Sequence, residues 1–346
     1  MVSTVKLETE RLILRPFVRD DAESMFRNWA TDPDVIRFYT NSGCETLEAT
    51  RKWVEQWLQH FDKLENNLWG VFAILLKTDG EVIGTIDYSE TNHDARSAEV
   101  GYQIGKAWRG NGYAYEALNA LIAHCFEEVG LNRIWAVHDP RNPSSGKVLV
   151  KVGMQYEGYS RQCKVRGGEL VDRIHYAILK EDWDTKKEIE YYNGLPCQFH
   201  GFIEVPHLSN GEVYLVCMEK QPGNTEENLV PGYEFVICKG GQKIGRINLR
   251  IGYSDRLYYG GQIGYDIDEA YRGNGYAGQA CRLLLPVAKA HKMEKLLITN
   301  DIDNIASKRV CEKLGARLVR IAYLPKWHDL YVAGGRFSNI YEWNAE

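Results

Sequence analysis

At 346 residues the chain is too long for one ordinary domain and suits two, each with its own core. Its 44% hydrophobic content supplies those cores, and the longest apolar run, residues 71–76, is far too short to cross a bilayer. A net charge of −5 argues against wholesale nucleic-acid binding. Eight cysteines without a CxxC pair argue for reduced thiols, and against structural zinc or a disulfide framework. The opening MVSTVKLETER has no apolar signal-type stretch, so a cytoplasmic protein without membrane or nucleic-acid partners is expected. The charge is uneven: residues 1–185 carry a net −6 and residues 186–346 a net +1. An acidic first half tolerates a cationic substrate such as an amine, and solvated surface charge explains it equally well.

In chain order, residues 12–16 read as a first strand closed by Pro16. Asp20-Asp21 then caps a helix running to about residue 30. Residues 46–63 form a second helix, with Trp53, Trp57 and Phe61 on one apolar stripe read as core. Strands 69–76 and 82–88 make a hairpin with Asp79-Gly80 at its tip. Residues 99–105 alternate, putting Glu99, Gly101 and Gln103 on one face and Val100, Tyr102 and Ile104 on the other. Helical spacing runs from Ala114 to Val129, with Gly130 as its stop. A strand at 133–138, a short helix at 144–152 capped by Asn142, and a closing strand at 171–179 complete the first half. The polar stretch 186–196, with its Gly-Leu-Pro turn, marks a boundary, and the domains are set at 1–187 and 188–346. Residues 197–232 are mixed in signal. After them come strands at 233–238, 244–251 and 262–267, a helix that Pro286 should bend, and a closing strand near 339–343.

The halves share a motif. Arg109-Gly110-Asn111-Gly112-Tyr113-Ala114 and Arg272-Gly273-Asn274-Gly275-Tyr276-Ala277 are the same six residues, each between a strand and a helix. Val100-Gly101-Tyr102 before the first matches Ile263-Gly264-Tyr265 before the second. Downstream, Asn142-x-x-Ser145 with Gly153 matches Asn304-x-x-Ser307 with Gly315, and Gly84 matches Gly245. The repeat is domain-sized, so the chain holds two copies of one domain. A glycine loop opening a helix presents unpaired N–H groups and the positive end of the helix dipole, which suits a phosphate or pyrophosphate.

On these residues both copies resemble the GNAT superfamily of N-acetyltransferases, whose loop reads Arg/Gln-x-x-Gly-x-Gly/Ala. The first copy is the more specific. LETERLILRP at 7–16, Asp32-Pro33, and His175 to Leu179 ending in Trp183 resemble the RimJ/RimL-like branch, which acetylates N-terminal amines of ribosomal proteins as well as small amines and antibiotics. The resemblance implies an α/β fold of two tandem GNAT-type domains, each a mixed central sheet flanked by helices. It also implies acetyl-CoA as cosubstrate and a peptide N-terminal or small-molecule amine as acceptor, attacking the thioester directly.

Four roles follow from the resemblance. The loop backbones, with Asn142 and Asn304, would hold CoA. Backbone N–H groups near Gln103 or Ile104, and in the second copy near Asp266 or Ile267, would stabilise the developing oxyanion. Glu99, ten residues before Arg109, stands where many members carry a carboxylate base; the second copy has Gln262 there, leaving Asp266 as substitute. The tyrosine acid that many members carry is replaced by Leu149 and Cys311, so Ser145 and Ser307 are the candidates for protonating the thiolate. The loss of a base matters unequally. At pH 7 a lysine-type amine is neutral about once in 2,500 and an α-amine about once in ten. The first domain, with Glu99 and Ser145 together, is the expected catalyst. The alternatives are a degenerate acetyl-CoA-binding scaffold without turnover, and an enzyme acting on antibiotics or polyamines.

Overall fold

The computed structural model describes residues 5–36, 38, 46–61 and 69–345. The chain divides into two compact units, Met1–Asp184 and Thr185–Glu346. Among the described residues the first unit has one eight-stranded sheet. Its strands are β1 (Leu7–Glu8), β2 (Leu12–Pro16), β3 (Trp69–Leu76), β4 (Val82–Asn92), β5 (Ser97–Ile104), β6 (Arg133–His138), β7 (Gln155–Arg166) and β8 (Glu169–Leu179). Their spatial order is β1-β2-β3-β4-β5-β6-β8-β7. The second unit has β9 (Leu208–Ser209), β10 (Tyr214–Gln221), β11 (Gly232–Lys239), β12 (Gln242–Arg250), β13 (Ile263–Ile267), β14 (Lys295–Asp301), β15 (Arg317–Tyr323) and β16 (Phe337–Asn344). Their order, β9-β10-β11-β12-β13-β14-β16-β15, repeats the first. Each sheet is antiparallel except for one parallel pair, β5 with β6 and β13 with β14. These are two tandem mixed α/β domains.

The third strand of each sheet shows why the units differ. In β3 the run is apolar throughout, because both faces are covered. Phe72, Ile74 and Leu76 pack with Leu118, Leu121 and Ile122 of the helix Tyr113–Glu127. Val71, Ala73 and Leu75 pack with Met25, Trp29 and Val54 of the helices that follow β2. Full burial of each such Val, Leu, Ile, Phe or Met side chain stabilises the fold by about 1.5–3 kcal/mol. In β11, Tyr233, Phe235 and Ile237 enter the core while Glu234 and Val236 between them stay half-exposed. The alternation follows from the connection. β2 leads to β3 through the helical segments Asp21–Met25, Phe26–Ala30, Pro33–Ile36 and Leu47–Phe61, whereas β10 leads to β11 through residues 222–231 alone.

Several sequence expectations are corrected. Asp20 makes no side-chain cap; Asp21 reaches back, accepting from Val18 N at 2.8 Å and pairing with Arg15, and the helix passes into a π-helical turn at Phe26–Ala30. The second helix is Leu47–Phe61. Trp53 and Trp57 pack on the core, while the Phe61 side chain and residues 62–63 lie outside the described residues. The polar stretch 186–196 is largely helical, within Lys180–Asn193, where Trp183 packs into the first unit's core and Tyr192 into a cluster with Tyr258 and Ile340 in the second. Pro286 breaks its helix into Tyr276–Leu283 and Leu285–Ala290. β7, β10 and β15, and the helix Asp255–Gly260, are elements that the apolar patterning did not mark. No helix among the described residues is long and apolar enough to cross a membrane.

Candidate functional site

The two glycine loops repeat feature by feature. Gly110 and Gly112 have φ of +82° and +82°, and Gly273 and Gly275 have +81° and +78°. These left-handed positions turn the chain so that a helix starts at Tyr113 and at Tyr276. Arg109 Nε donates to Ile104 O at 3.1 Å, and Arg272 Nε to Ile267 O at 2.8 Å, tying each loop to the strand before it. The Asn111 amide donates to Trp108 O and Arg109 O, as that of Asn274 does to Tyr271 O and Arg272 O. The helix behind the first loop is clasped from the N-terminal motif. Glu116 accepts from the Thr9 hydroxyl at 2.6 Å, Arg11 N at 2.8 Å and Arg11 Nε at 2.7 Å. In the second unit Gln279 takes that place, donating to Glu212 and accepting from Asn210.

The cavity lies where the parallel strands part. β5 pairs with β6 only from Ser97 to Glu99, and β13 with β14 only at Ile263. In the first unit the fork opens a cavity of about 910 Å³. It is lined by Glu99, Gln103, Ile104, Arg109, Gly110, Gly112, Tyr113, Ala114, Asn142 and Ser145. The fold thus gathers the base, serine and loop residues expected from the sequence; Asn111 does not line the cavity. Glu99 stands at the last paired position of the fork. Among the described residues its carboxylate has no hydrogen bond or ion pair. Burial raises its pKa, against the pull of Lys164, Arg173 and His175.

Two groups in the cavity were not singled out from the sequence. Asp87 on β4 lines it, and burial plus the Glu99 charge push its pKa up to about 7. Tyr102 donates to Ser145 O at 3.0 Å and lies 2.9 Å from Ser145 Oγ; Tyr265 stands likewise 2.8 Å from Ser307 Oγ. Each serine is therefore held by a tyrosine from the preceding strand, although the helical positions 149 and 311 carry none. Burial raises the Tyr102 pKa to about 12, so its hydroxyl keeps its proton near neutrality. The repeated Gly-Tyr before each loop was the available signal for both tyrosines. Asn142 begins its helix without a side-chain cap, whereas Asn304 Oδ1 accepts from Ser307 N at 3.0 Å.

The second unit keeps the loop and changes what faces it. Gln262 is fully buried, accepting from Leu297 N at 2.6 Å and donating to Gly252 O at 3.1 Å. Asn248, opposite Gly264 as Asp87 is opposite Gly101, accepts from Gly264 N at 3.0 Å. Asp266 is exposed, 3.4 Å from Arg272 Nη2. A cavity of about 480 Å³, lined by Glu234, Asn248, Arg250 and His328 among others, opens beside the short connection 222–231. Among the described residues no cluster of three or more His, Cys, Asp or Glu is arranged to hold a metal ion.

Residues 11–155 and, again, residues 200–317 match the family described as the GNAT acetyltransferase domain, together more than half of the chain. The protein is a tandem GNAT N-acetyltransferase. Its relatives match one domain's length. It is 34% identical to the uncharacterized N-acetyltransferase YoaA of Bacillus subtilis (strain 168), over 50% of this chain and 96% of that protein. It is 26% identical to the ribosomal protein uS5 alanine N-acetyltransferase of Escherichia coli (strain K12), over 53% and 94%. Among solved structures, a GNAT-family acetyltransferase from Bacillus anthracis is similar at 30% identity with a TM-score of 0.46, over 51% of this chain and 99% of that one. GNAT acetyltransferases in general transfer acetyl groups from acetyl-CoA to amines. The positive-φ loop glycines of the first domain face the same cavity as its fork, and a Cβ at Gly110 would meet no atom within 4 Å, so the loop backbone is open to a ligand.

Proposed function

We propose that the first domain transfers acetyl from acetyl-CoA to a primary amine, and that the second holds acetyl-CoA without a matching base. The observation that carries this reading is Glu99: a half-buried carboxylate, unpartnered among the described residues, in the cavity that the glycine loop also lines. The loop N–H groups of residues 109–114 would hold the CoA pyrophosphate, as those of 272–277 would in the second domain. Acetyl-CoA supplies an acyl group activated as a thioester. The N–H group of Ile104, on the edge of β5 that the fork leaves unpaired, would donate to the acyl oxygen, while that of Gln103 faces β4. Glu99 takes the proton from the acceptor's ammonium, a task its raised pKa suits. Ser145, held by Tyr102, offers a proton to the departing sulfur.

A peptide N-terminal amine is the acceptor that the E. coli relative favours, since that protein acts on an alanine of a ribosomal protein. Polyamines and aminoglycosides are the competing acceptors. CoA release over a panel of N-terminal peptides, polyamines, aminoglycosides and amino acids, on wild type, Glu99→Gln and Asp266→Asn, tests the reading. If Glu99→Gln leaves every active substrate untouched while Asp266→Asn abolishes turnover, the second domain is the catalyst.

A further inference from the structure

We infer that Asp87 and Glu99 form a two-carboxylate seat for the acceptor, which enters as its protonated ammonium, with Asp87 as a positioning residue acting beside the base. This rests on the transfer activity proposed above and deepens it.

The seat follows from register. Asp87 lies opposite Gly101 and Ser89 opposite Glu99, so the two carboxylates rise from the same face of adjacent strands on a diagonal, roughly 7 Å apart at the backbone. Gly101 leaves that diagonal open: a Cβ there would stand 3.0 Å from Asp87 Oδ1. Both carboxylates line the loop's cavity, and among the described residues neither has a hydrogen bond or ion pair. The charged groups facing Glu99 are Lys164 of β7 and Arg173 and His175 of β8, while the charge facing Asp87 is Glu99 itself. Arg173 is also drawn to Asp139, 3.7 Å away, which Arg141 and Arg166 hold at 2.8 Å each.

Two carboxylates sharing a half-buried cavity repel, and both cannot ionise cheaply unless a cation sits between them. A bound ammonium is such a cation. The second domain carries the neutral pair at the same two places, Asn248 and Gln262, each spent on backbone hydrogen bonds. The backbone of this fold therefore does not require acids there. In the transfer the amine nitrogen bonds the acetyl carbon as the C–S bond breaks. Of the two protons the nitrogen gives up, one passes to the carboxylate pair and on to solvent; the other ends on the sulfur.

The test is the pH dependence of kcat/KM for full-length wild type and Asp87→Asn, using acetyl-CoA and whichever panel amine is acetylated best. Asparagine already occupies the matching position 248, so the variant is expected to fold, and its circular dichroism checks this. With one acid of the coupled pair gone, the upper ionisation that Asp87 carries is lost, and the acid limb should move down by about one pH unit. It should also raise the acceptor KM about tenfold or more, leaving the acetyl-CoA KM within about twofold. An unmoved acid limb with an unchanged acceptor KM overturns the inference while leaving the transfer reading intact. Absence of transfer to any amine removes both.

Discussion

The two domains share one strand order, one loop and one tyrosine–serine pair, and they part company on the side from which an acceptor would come. In the first, helices following β2 cover one face of the sheet, and acidic residues stand at the fork. In the second, ten residues replace those helices, and amides replace both acids. Cofactor holding depends on backbone shape, which a repeated glycine loop preserves. Catalysis depends on charge at particular side chains, which single substitutions remove. A duplicated domain can thus retain the first property and lose the second without altering its fold.

The sharpest way to break this comparison is at the base. Glu99→Gln gives the first domain the side chain of the second, and kcat/KM should fall roughly 10²- to 10⁴-fold, the range of general base catalysis. The loss should be smaller for an α-amine near its own pKa than for a lysine-type amine. Stopped-time CoA release measures it. A loss of less than about twofold for both acceptor types would mean that the two domains do not differ where we place the difference.

The loops test the shared half of the comparison. Gly112→Val and Gly275→Val each force a β-branched residue into a left-handed position, at φ of +82° and +78°. Each should weaken acetyl-CoA at its own loop by about tenfold or more. Calorimetry on wild type should show two sites per chain, and each variant should retain one tight site. A single site in wild type, abolished by Gly112→Val and indifferent to Gly275→Val, would show that the second loop is a relic.

A reciprocal exchange should move stability in opposite directions. Asp87 has its folded pKa raised from 3.8 to about 7 by burial and by Glu99. A raised carboxyl pKa leaves stability intact below the unfolded value and removes it as pH rises towards the folded one. Asp87→Asn should therefore raise Tm, by a margin that grows between about pH 4 and pH 7 and then levels off. Gln262→Glu should lower Tm, because the buried carboxylate loses the donor that now serves Gly252 O, costing about 1–3 kcal/mol at neutral pH. Melting curves of both variants across that pH range decide it. If the two shifts share a sign, the acids and amides are not matched to their surroundings in the way the register implies.

What was legible in the sequence divides along the same line. The loops and the strands before them are legible because their identities recur at a fixed offset and because glycine at a left-handed turn has a physical cause; Glu99, matched by Gln262, is legible only through the family resemblance. Asp87 was missed because it lies on a different strand from Glu99, and only pairing register makes them neighbours. The Tyr102–Ser145 contact spans 43 residues and needs the fold for the same reason. The edge strands β7 and β15 escaped notice because they lack apolar alternation: Tyr156, Tyr159, Ile321 and Tyr323 are exposed among charged neighbours. Part of the helix Lys180–Asn193 reads as a linker because its surface is nearly all charged; its two buried aromatics, Trp183 and Tyr192, lie on opposite sides in separate clusters and set no period.

The smallest expected effect concerns how each loop helix is braced. In the first domain the clasp on Glu116 is ionic, with Arg11 also donating to Asn111 O at 3.1 Å and lying 4.6 Å over the Tyr113 ring. In the second it is an amide clasp, Gln279 between Asn210 and Glu212. Arg11 is 45% exposed, and ion pairs at that exposure contribute little. Arg11→Ala should therefore raise the acetyl-CoA KM of the first domain only about two- to fivefold. The change should shrink in high salt, where wild type already loses much of the pair's attraction. Gln279→Ala should perturb binding at the second loop with no such salt dependence, since a neutral amide is not screened. Titrations of both variants at low and high ionic strength separate the two clasps. Equal salt dependence would mean that the Arg11 side chain braces the loop by packing on Tyr113, with its charge irrelevant.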